Sequence, residues 1–278
     1  MDFLVTLQCE DQPGIVHAMA TAILACEGNI IENQQFTDPD SLIFVMRTRF
    51  ESSKSVEETE VILRQHLDIF RPTLMLRPYA EKKRALILAT KERHCLQELI
   101  FLVELNEMPI EIVGVVSNHL DLKPLVESHG LAFTYIPISS SGKEASELEI
   151  YDLVQRLGVD FIILARYMQI LSEGFCEQLP NRIINIHHSF LPSFKGANPY
   201  RQAYARGVKI IGATAHFATP DLDEGPIIEQ DISHINHSYT PNELVAIGRD
   251  IERRVLARAV KLFSEDRIFV VGIRTVIL

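Results

Sequence analysis

The sequence predicts an α/β protein with two domains: an N-terminal ferredoxin-like domain of order βαββαβ and a C-terminal Rossmann-like domain with a mostly parallel sheet. Three observations lead to this prediction. The chain has 278 residues, which suits two domains that each bury a hydrophobic core. Apolar residues follow strand and helix periods in turn over residues 1–80, whereas later apolar runs are short and continuous. A charged stretch with a proline, residues 77–84, separates the two patterns and is the predicted linker.

The N-terminal domain, residues 1–80, is predicted from six short patterns. Asp11-Gln-Pro-Gly14 has the composition of a turn, and apolar residues at helical spacing follow it. A second turn, residues 38–41, joins two strand-like runs as in a hairpin. The predicted elements are strand 3–8, helix 15–24, strands 29–36 and 42–50, helix 55–70 and strand 73–76. Their order suits a sheet that carries two helices on one face.

The second domain, residues 85–278, is predicted from apolar runs that do not alternate. When helix-like segments separate such runs, they indicate strands buried on both faces of a mostly parallel sheet. The predicted strands are 85–89, 110–116, 132–136, 161–164, 183–186, 210–217 and 226–232. Thr240-Pro-Asn-Glu243 is a capping box that opens a long helix. Open α/β sheets bind ligands beyond the carboxyl ends of their strands, so we expect the site there.

The composition excludes several classes of function. With 27 basic and 37 acidic residues the net charge is −10, which argues against a nucleic-acid partner. The four cysteines are far apart in sequence, which disfavours a disulfide framework and indicates a reducing compartment. The first residues do not have the pattern of a signal peptide, and the apolar runs are too short to cross a bilayer. We therefore expect a cytoplasmic protein with no membrane partner.

Polar side chains at the end of one predicted strand are the first candidates for chemistry. Asn185 and His187 are two residues apart and therefore share one face of that strand. Asp221 and Asp223 lie in a polar segment, residues 219–226, between two later strands. If that segment folds over the strand end, an amide, an imidazole and a carboxylate form a site for hydrolysis or acyl transfer. The alternatives are that backbone or water satisfies the amide and the imidazole, and that the aspartates only build a turn.

The loop after the first strand of the second domain bears on cofactors. Residues 91–96, Lys-Glu-Arg-His-Cys-Leu, contain no glycine, so the loop provides neither a dinucleotide fingerprint nor a phosphate-binding nest. A nucleotide cofactor is therefore disfavoured. No cysteine or additional histidine accompanies Asn185 and His187 at the spacing of metal ligands, and we expect no metal site.

Two motifs together resemble the signature of the folate-dependent formyltransferases. They are residues 185–192, Asn-Ile-His-His-Ser-Phe-Leu-Pro, and residues 222–228, Leu-Asp-Glu-Gly-Pro-Ile-Ile. The resemblance covers residues 85–278 and implies that Asn185, His187 and Asp223 are catalytic. It also implies that 10-formyltetrahydrofolate is the substrate and that no separate cofactor is needed.

The same resemblance assigns a folate pocket to the segment 164–172. It implies that Met168, Gln169 and Leu171 bind the pterin, although apolar residues of this segment would belong to the core of any α/β protein. Lys195 and Arg201 are candidates for the glutamate tail of the folate, with solvated surface charge as the alternative. The remaining histidines, His216 included, are expected to be ordinary core or surface residues.

The N-terminal domain resembles an ACT domain in its βαββαβ order and in Glu10-Asp-Gln-Pro-Gly14. This resemblance implies an amino-acid effector site near Asp11 and Gly14, and a homodimer or homotetramer. The alternative is a plain dimerisation module. An ACT domain ahead of a formyltransferase-like domain is the arrangement of the hydrolytic branch of the family.

The acceptor of the formyl group separates the branches of the family. Its transformylases hold a phosphorylated amine in a loop rich in Gly, Ser and Asn after the first strand, which residues 91–96 replace. Glu92 in that loop would repel a phosphate. Water needs no such pocket, so we expect hydrolysis to formate and tetrahydrofolate. The alternatives are formyl transfer to a small amine, and a sensor that binds folate without turning it over.

Overall fold

The computed structural model describes residues 1–137, 142–191 and 199–278 of the chain. The chain forms two compact units. The first consists of residues 1–81 together with residues 266–278, and the second consists of residues 82–265.

The first unit contains a four-stranded antiparallel sheet in the order β2-β3-β1-β4. Its elements are β1 (Asp2–Glu10), α1 (Ile15–Ala25), β2 (Asn29–Thr37), β3 (Ile43–Glu51), α2 (Val56–Leu67) and β4 (Thr73–Pro78). Helix α1 begins after Gly14, whose φ of 102° lies in the left-handed region that favours glycine. A capping box starts α2, because Ser55 and Glu58 each accept a hydrogen bond from the backbone N–H of the other.

The core of the first unit lies between the sheet and its two helices. Phe3 and Leu7 of β1 pack in one cluster with Met19 of α1 and Leu63 of α2, and all four side chains are buried. The two strand residues are an even number of positions apart and therefore point to the same face. This face of the sheet is consequently the one that the helices cover.

The second unit contains a seven-stranded sheet in the order β11-β10-β9-β8-β5-β6-β7. Its strands are β5 (Lys83–Ala89), β6 (Ile110–Ser117), β7 (Phe133–Tyr135), β8 (Phe161–Leu164), β9 (Ile183–His187), β10 (Ile210–Phe217) and β11 (Ile227–His234). Its helices are α3 (His94–Glu104), α4 (Lys123–Ser128), α5 (Lys143–Arg156), α6 (Glu173–Gln178), α7 (Pro199–Arg206) and α8 (Pro241–Ser264). Strands β5 to β9 pair in parallel, whereas β10 runs antiparallel to both of its neighbours. The prediction of a mostly parallel α/β sheet is confirmed.

Burial on both faces explains why apolar and polar residues do not alternate along these strands. Every residue of β8 is buried, because the central strands of a parallel sheet have both faces covered. Helix α8 starts with the expected capping box between Thr240 and Glu243, and Pro241 occupies its first turn.

The last strands of the chain, β12 (Ile268–Val271) and β13 (Arg274–Ile277), form an antiparallel hairpin. The second domain is predicted from sequence to span residues 85–278, but residues 266–278 belong to the first unit. Phe269 and Val271 pack with Val45 of β3, and Gln8 Nε2 donates to the Val270 carbonyl over 3.0 Å. The hairpin therefore completes the first unit through contacts that are remote in sequence.

Among the described residues, no helix combines the length and the hydrophobicity needed to cross a membrane.

A buried ion pair in the first unit yields a testable prediction about stability. Arg77 Nε lies 2.5 Å from Asp266 Oδ2, and the two side chains are 13% and 3% exposed. Arg77→Ala should lower the unfolding free energy by about 3–5 kcal/mol, because it leaves a buried carboxylate without this partner. Arg64→Ala, which breaks an exposed pair with Glu60, should cost at most about 0.5 kcal/mol. Urea unfolding at neutral pH measures both values, and equal losses would contradict the prediction.

Candidate active site

A cavity of about 650 Å³ in the second unit lies where strands β8 and β9 end. Its lining comes from the segments after β5 and β8, the ends of β9 and β10, the 219–223 loop, and helices α7 and α8. This location agrees with the general rule that α/β sheets bind ligands beyond the carboxyl ends of their parallel strands. The six second-unit residues that the sequence names as catalytic or pterin-binding all line this cavity.

Strand β9 brings Asn185 and His187 to the cavity wall. The isoleucines at 183, 184 and 186 are buried and hold the strand in the sheet, while the two polar residues alternate with Ile186. In the antiparallel pairing with β10, Asn185 lies opposite His216, and His187 lies opposite Thr214. The strand therefore presents an amide and an imidazole on one face, as their spacing predicts.

The 219–226 loop brings Asp223 to His187. Asp223 Oδ1 lies 3.2 Å from His187 Nδ1 and 3.6 Å from His216 Nε2. Asp223 itself has a positive φ of 59°, which is uncommon for a residue other than glycine and is tolerated best by Asp and Asn. Asp221 stays exposed in the same loop and does not line the cavity. Of the two aspartates, only Asp223 thus joins the amide and the imidazole.

The charge of Asp223 is set by its neighbours. Burial raises the pKa of this carboxyl, but its contacts with His187 and His216 outweigh burial and hold the pKa well below its usual range. The side chain is therefore ionised at neutral pH. An ionised carboxylate at Nδ1 orients the His187 ring and stabilises its protonated form.

His216 is a site residue that the sequence analysis did not identify. Its Nδ1 lies 2.9 Å from the Phe217 carbonyl, so Nδ1 carries the proton that it donates there. In the neutral ring, Nε2 is then an acceptor for Asn185 Nδ2, which lies 3.1 Å away. His216 thereby orients the Asn185 amide, and one amide hydrogen remains available for a ligand oxygen. The only signal in the sequence is its position near the end of a strand beside the site.

Ser189 also lies close to the candidate catalytic histidine. Its Oγ is 2.7 Å from His187 Nε2, the ring nitrogen that does not face Asp223. When Nδ1 carries the proton, Nε2 accepts a hydrogen bond from this hydroxyl. The ring is thus held from both sides by hydrogen bonds.

The predicted folate segment lines the same cavity. Met168, Gln169 and Leu171 all contribute to its wall, and the Met168 N–H donates to Thr90 Oγ1 over 3.0 Å. The Leu171 side chain is buried, whereas that of Met168 is 54% exposed and so is available to a ligand. An apolar, partly open wall of this kind suits a flat aromatic ring.

Other predicted residues lie away from this cavity. Arg201 is exposed on α7 and does not line it, and Lys195 falls outside the described residues. Asp11 and Gly14, the predicted effector residues, are exposed in the first unit ahead of α1.

A second polar group in the cavity wall centres on Glu252 of α8. Tyr200 donates its hydroxyl hydrogen to Glu252 Oε1 over 2.6 Å, His94 Nε2 lies 2.7 Å from Oε2, and Arg166 Nε lies 3.5 Å from Oε2. We call these four residues the Glu252 cluster. Burial raises the pKa of the Glu252 carboxyl, but the contacts with His94, Arg166 and Tyr200 outweigh it and lower the pKa. The cluster was not predicted from the sequence.

Three potential metal ligands, in His94, Cys95 and Glu252, lie within 4.8 Å of one another. Their chemistry fits an internal ion pair better than a metal site. The Arg166 guanidinium already supplies positive charge beside Glu252. Burial and, to a smaller extent, the charge of Glu252 raise the pKa of the Cys95 thiol well above its usual value. The thiol therefore stays protonated, whereas metal ligation requires the thiolate.

Comparison with known proteins gives a consistent result. The family model described as formyl transferase matches residues 83–260. The chain is 42% identical over 278 residues to a formyltetrahydrofolate deformylase of Corynebacterium sp. (strain P-1), covering 99% of this chain and 97% of that relative. The crystal structure of formyltetrahydrofolate deformylase from Burkholderia mallei superposes with a TM-score of 0.96, at 44% identity, over 100% of this chain and 99% of the other.

A transferase is similar to only part of the chain. The crystal structure of glycinamide ribonucleotide transformylase 1 from Symbiobacterium toebii gives a TM-score of 0.67 at 30% identity. The match covers 71% of this chain and 95% of the transformylase chain. Similarity to the deformylase structure therefore extends over the whole chain, whereas similarity to the transformylase covers 71% of it.

Gly225 provides a test of how the Asp223 loop is held. A Cβ atom at this position would lie 1.8 Å from the Phe217 carbonyl oxygen, so Gly225→Ala forces the loop away from β10. We expect an unfolding free energy lower by about 1–3 kcal/mol. We also expect loss of the downfield proton resonance of His187 Nδ1, which depends on the contact with Asp223. Gly174→Ala is the matched control, because no atom lies within 4 Å of its added Cβ.

Chemical denaturation and proton NMR measure the two quantities. If Gly225→Ala matches the wild type in stability and keeps the resonance, the loop does not depend on the close approach to β10.

Proposed function

The chain belongs to the formyltetrahydrofolate deformylases of the formyl transferase family, and from this membership we propose that it hydrolyses 10-formyltetrahydrofolate to formate and tetrahydrofolate. The observation that carries the proposal is the contact of 3.2 Å between Asp223 and His187 beside Asn185, in one cavity. Amide, imidazole and carboxylate are the groups that addition of water to a formyl carbon requires. We place this reaction in one-carbon metabolism.

The reaction is a substitution at the formyl carbon by water. The water oxygen bonds to that carbon, and His187 Nε2 takes the proton that the water loses. The resulting oxyanion is stabilised by the Asn185 amide and by the protonated His187 ring. Cleavage of the bond between the formyl carbon and N10 follows, His187 returns the proton to N10, and formic acid leaves and loses its remaining acidic proton to solvent, which gives formate.

Asp223 contributes through His187. Its carboxylate holds the proton on Nδ1, so that Nε2 of the neutral ring keeps its lone pair and acts as the base once water takes the position of the Ser189 hydroxyl. Because its pKa lies well below the usual range, Asp223 remains ionised throughout and does not exchange protons with the substrate. His216 orients Asn185.

We propose that the pterin ring binds along Met168, Gln169 and Leu171. Support for this comes from their shared position in the cavity wall with His187. The exposed Met168 side chain is soft and polarisable and suits contact with an aromatic ring.

Formyl transfer to a phosphorylated amine is disfavoured by the loop after β5. Residues 91–93 contain no glycine, and Glu92 brings negative charge to the cavity wall. A phosphate would therefore meet a carboxylate instead of a ring of backbone N–H groups.

For the first unit we propose an ACT-like regulatory module that binds an amino acid near Asp11 and Gly14. Support comes from the βαββαβ order and from the exposed turn between β1 and α1. We further propose that the module mediates a homodimer or homotetramer. A cytoplasmic location is supported by the four cysteines, all of which are free, buried thiols.

Replacement of Asp223 tests the catalytic proposal. Asp223→Asn should lower the rate of formate release by about a hundredfold to ten-thousandfold, because His187 loses the carboxylate that orients it. The matched control is Asp221→Asn in the same loop, which should keep the wild-type rate. Release of formate and formation of tetrahydrofolate are both followed. A wild-type rate in Asp223→Asn would remove this residue from the mechanism.

The stability of Asp223→Asn must be measured alongside its rate. Since the pKa of Asp223 is lowered on folding, its ionised form stabilises the protein above about pH 3.8, and this contribution is lost as the pH falls. The variant is therefore expected to be less stable than the wild type at pH 7, with a difference that shrinks in acid. Rates are compared at temperatures where both proteins are folded.

Titration of the enzyme with each of the twenty amino acids tests the regulatory proposal. At least one should change the rate of formate release at low substrate by about fivefold or more, since effector coupling is typically about 1–3 kcal/mol. Asp11→Ala should remove the response and leave the basal rate. Flat titrations with all twenty would overturn the effector proposal, and a monomer in sedimentation would overturn the oligomer.

A further inference from the structure

The Glu252 cluster forms a closed group of side chains in the wall of the catalytic cavity. Glu252 is 1% exposed and is contacted by a hydroxyl, an imidazole and a guanidinium that come from three separate elements of the second unit. Each contact joins residues that are distant in sequence. The cluster therefore fixes the shape of this part of the cavity instead of leaving an open pocket.

The cluster continues to the catalytic histidine through His188. The His188 ring lies 6.4 Å from the Tyr200 ring and 5.1 Å from the His187 ring, measured between centroids. Burial, together with the nearby charges of Arg166 and His187, lowers the pKa of His188 to about 4, so this ring is neutral at physiological pH. One flank of His187 is thus occupied by two further rings, which are tilted against each other by 52° and, at His187, by 34°.

Helix α8 has a glycine, Gly248, at the position where the Tyr200 ring packs against it. A Cβ atom at Gly248 would lie 2.1 Å from Tyr200 ring atoms, so the ring packs directly on the helix backbone at this glycine. Glycine inside a helix costs about 1 kcal/mol relative to alanine. Here the glycine creates the space in which the ring lies.

The charges at this end of the cavity are mostly paired. The Arg166 guanidinium lies beside the Glu252 carboxylate, and His188 is neutral. At the edge of the cavity Arg249 is likewise paired with Glu92 over 3.0 Å. Arg166 Nε and Nη1 nevertheless have no hydrogen-bond partner among the described residues, so the proposal below rests on the space that the Tyr200 ring fills and not on charge.

We propose that the Glu252 cluster determines acceptor specificity: the Tyr200 ring, anchored by Glu252 and seated on Gly248, closes this flank of His187 to amines, so that only water reaches the formyl carbon. This inference rests on the proposed function. In either outcome the bond from the formyl carbon to N10 breaks and N10 gains a proton. The new bond is carbon to oxygen with water, which gives formate, or carbon to nitrogen with an amine, which gives a formamide.

The test is the partition of the formyl group between water and glycinamide, a small primary amine supplied in excess. The amount of tetrahydrofolate gives the total number of turnovers, and the amount of formate gives the turnovers with water. The amount of N-formylglycinamide, measured by mass spectrometry, gives the turnovers with the amine. Only folded, active enzyme molecules form either product, so the ratio of N-formylglycinamide to formate reports on those molecules alone. It is therefore independent of how much of a variant is folded, and a merely structural defect does not change it.

Two variants open the flank by different means. Tyr200→Ala removes the ring, whereas Gly248→Ala keeps the ring and displaces it from the helix. Each should raise the ratio of amide to formate about tenfold or more over the wild type, the scale on which a pocket discriminates by size. The matched control is Tyr204→Ala, on the same helix as Tyr200 but exposed and outside the cavity.

Each outcome is decisive. A raised ratio in Tyr200→Ala and Gly248→Ala, with the wild-type ratio in Tyr204→Ala, supports the proposal. A ratio unchanged in both variants, or a wild type that already forms the amide as readily as formate, overturns it. If the wild type releases no formate from 10-formyltetrahydrofolate at all, the proposed function fails instead.

Discussion

The contact between Asp223 and His187 is the constraint on which the site depends. A carboxylate this deeply placed is stable in its ionised form because its contacts with two imidazoles outweigh the cost of burial. The same contact determines which nitrogen of His187 carries a proton and which keeps a lone pair for chemistry. Loop 219–226 must therefore remain folded over the end of β9, and the close approach of Gly225 to Phe217 holds it there. The distance between Asp223 and His187 therefore depends on the same packing that holds the 219–226 loop against β10.

Strand β10 connects this contact to the rest of the sheet. It is antiparallel in an otherwise parallel neighbourhood, and its register with β9 places His216 opposite Asn185. His216 then bonds to the amide and, through the Phe217 carbonyl, to its own strand, and its Nε2 lies 3.6 Å from Asp223 Oδ1. Three candidate catalytic groups are held in one hydrogen-bonded network, which reduces the reorganisation required when charge develops on the substrate.

The cavity wall combines two kinds of surface with different roles. Around Met168 and Leu171 it is apolar and partly open, as suits the ring system of a folate. Around Glu252 it is ionic and buried, and the contacts of Glu252 with Tyr200 and Arg166 give it a defined shape.

The sequence by itself determined the strands of the second unit, because continuous apolar runs such as 161–164 have no other stable place than a sheet covered on both faces. It also predicted that Asn185 and His187 share a face, since that follows from the strand period alone. Only the tertiary structure decided that Asp223, and not Asp221, reaches His187, and that His216 supports Asn185. It likewise decided that hairpin 268–277 joins the first unit, and that Glu252, His94 and Tyr200 meet in one cluster. Each of these depends on contacts between segments far apart in the chain, and local periodicity contains no information about which distant segments pack together.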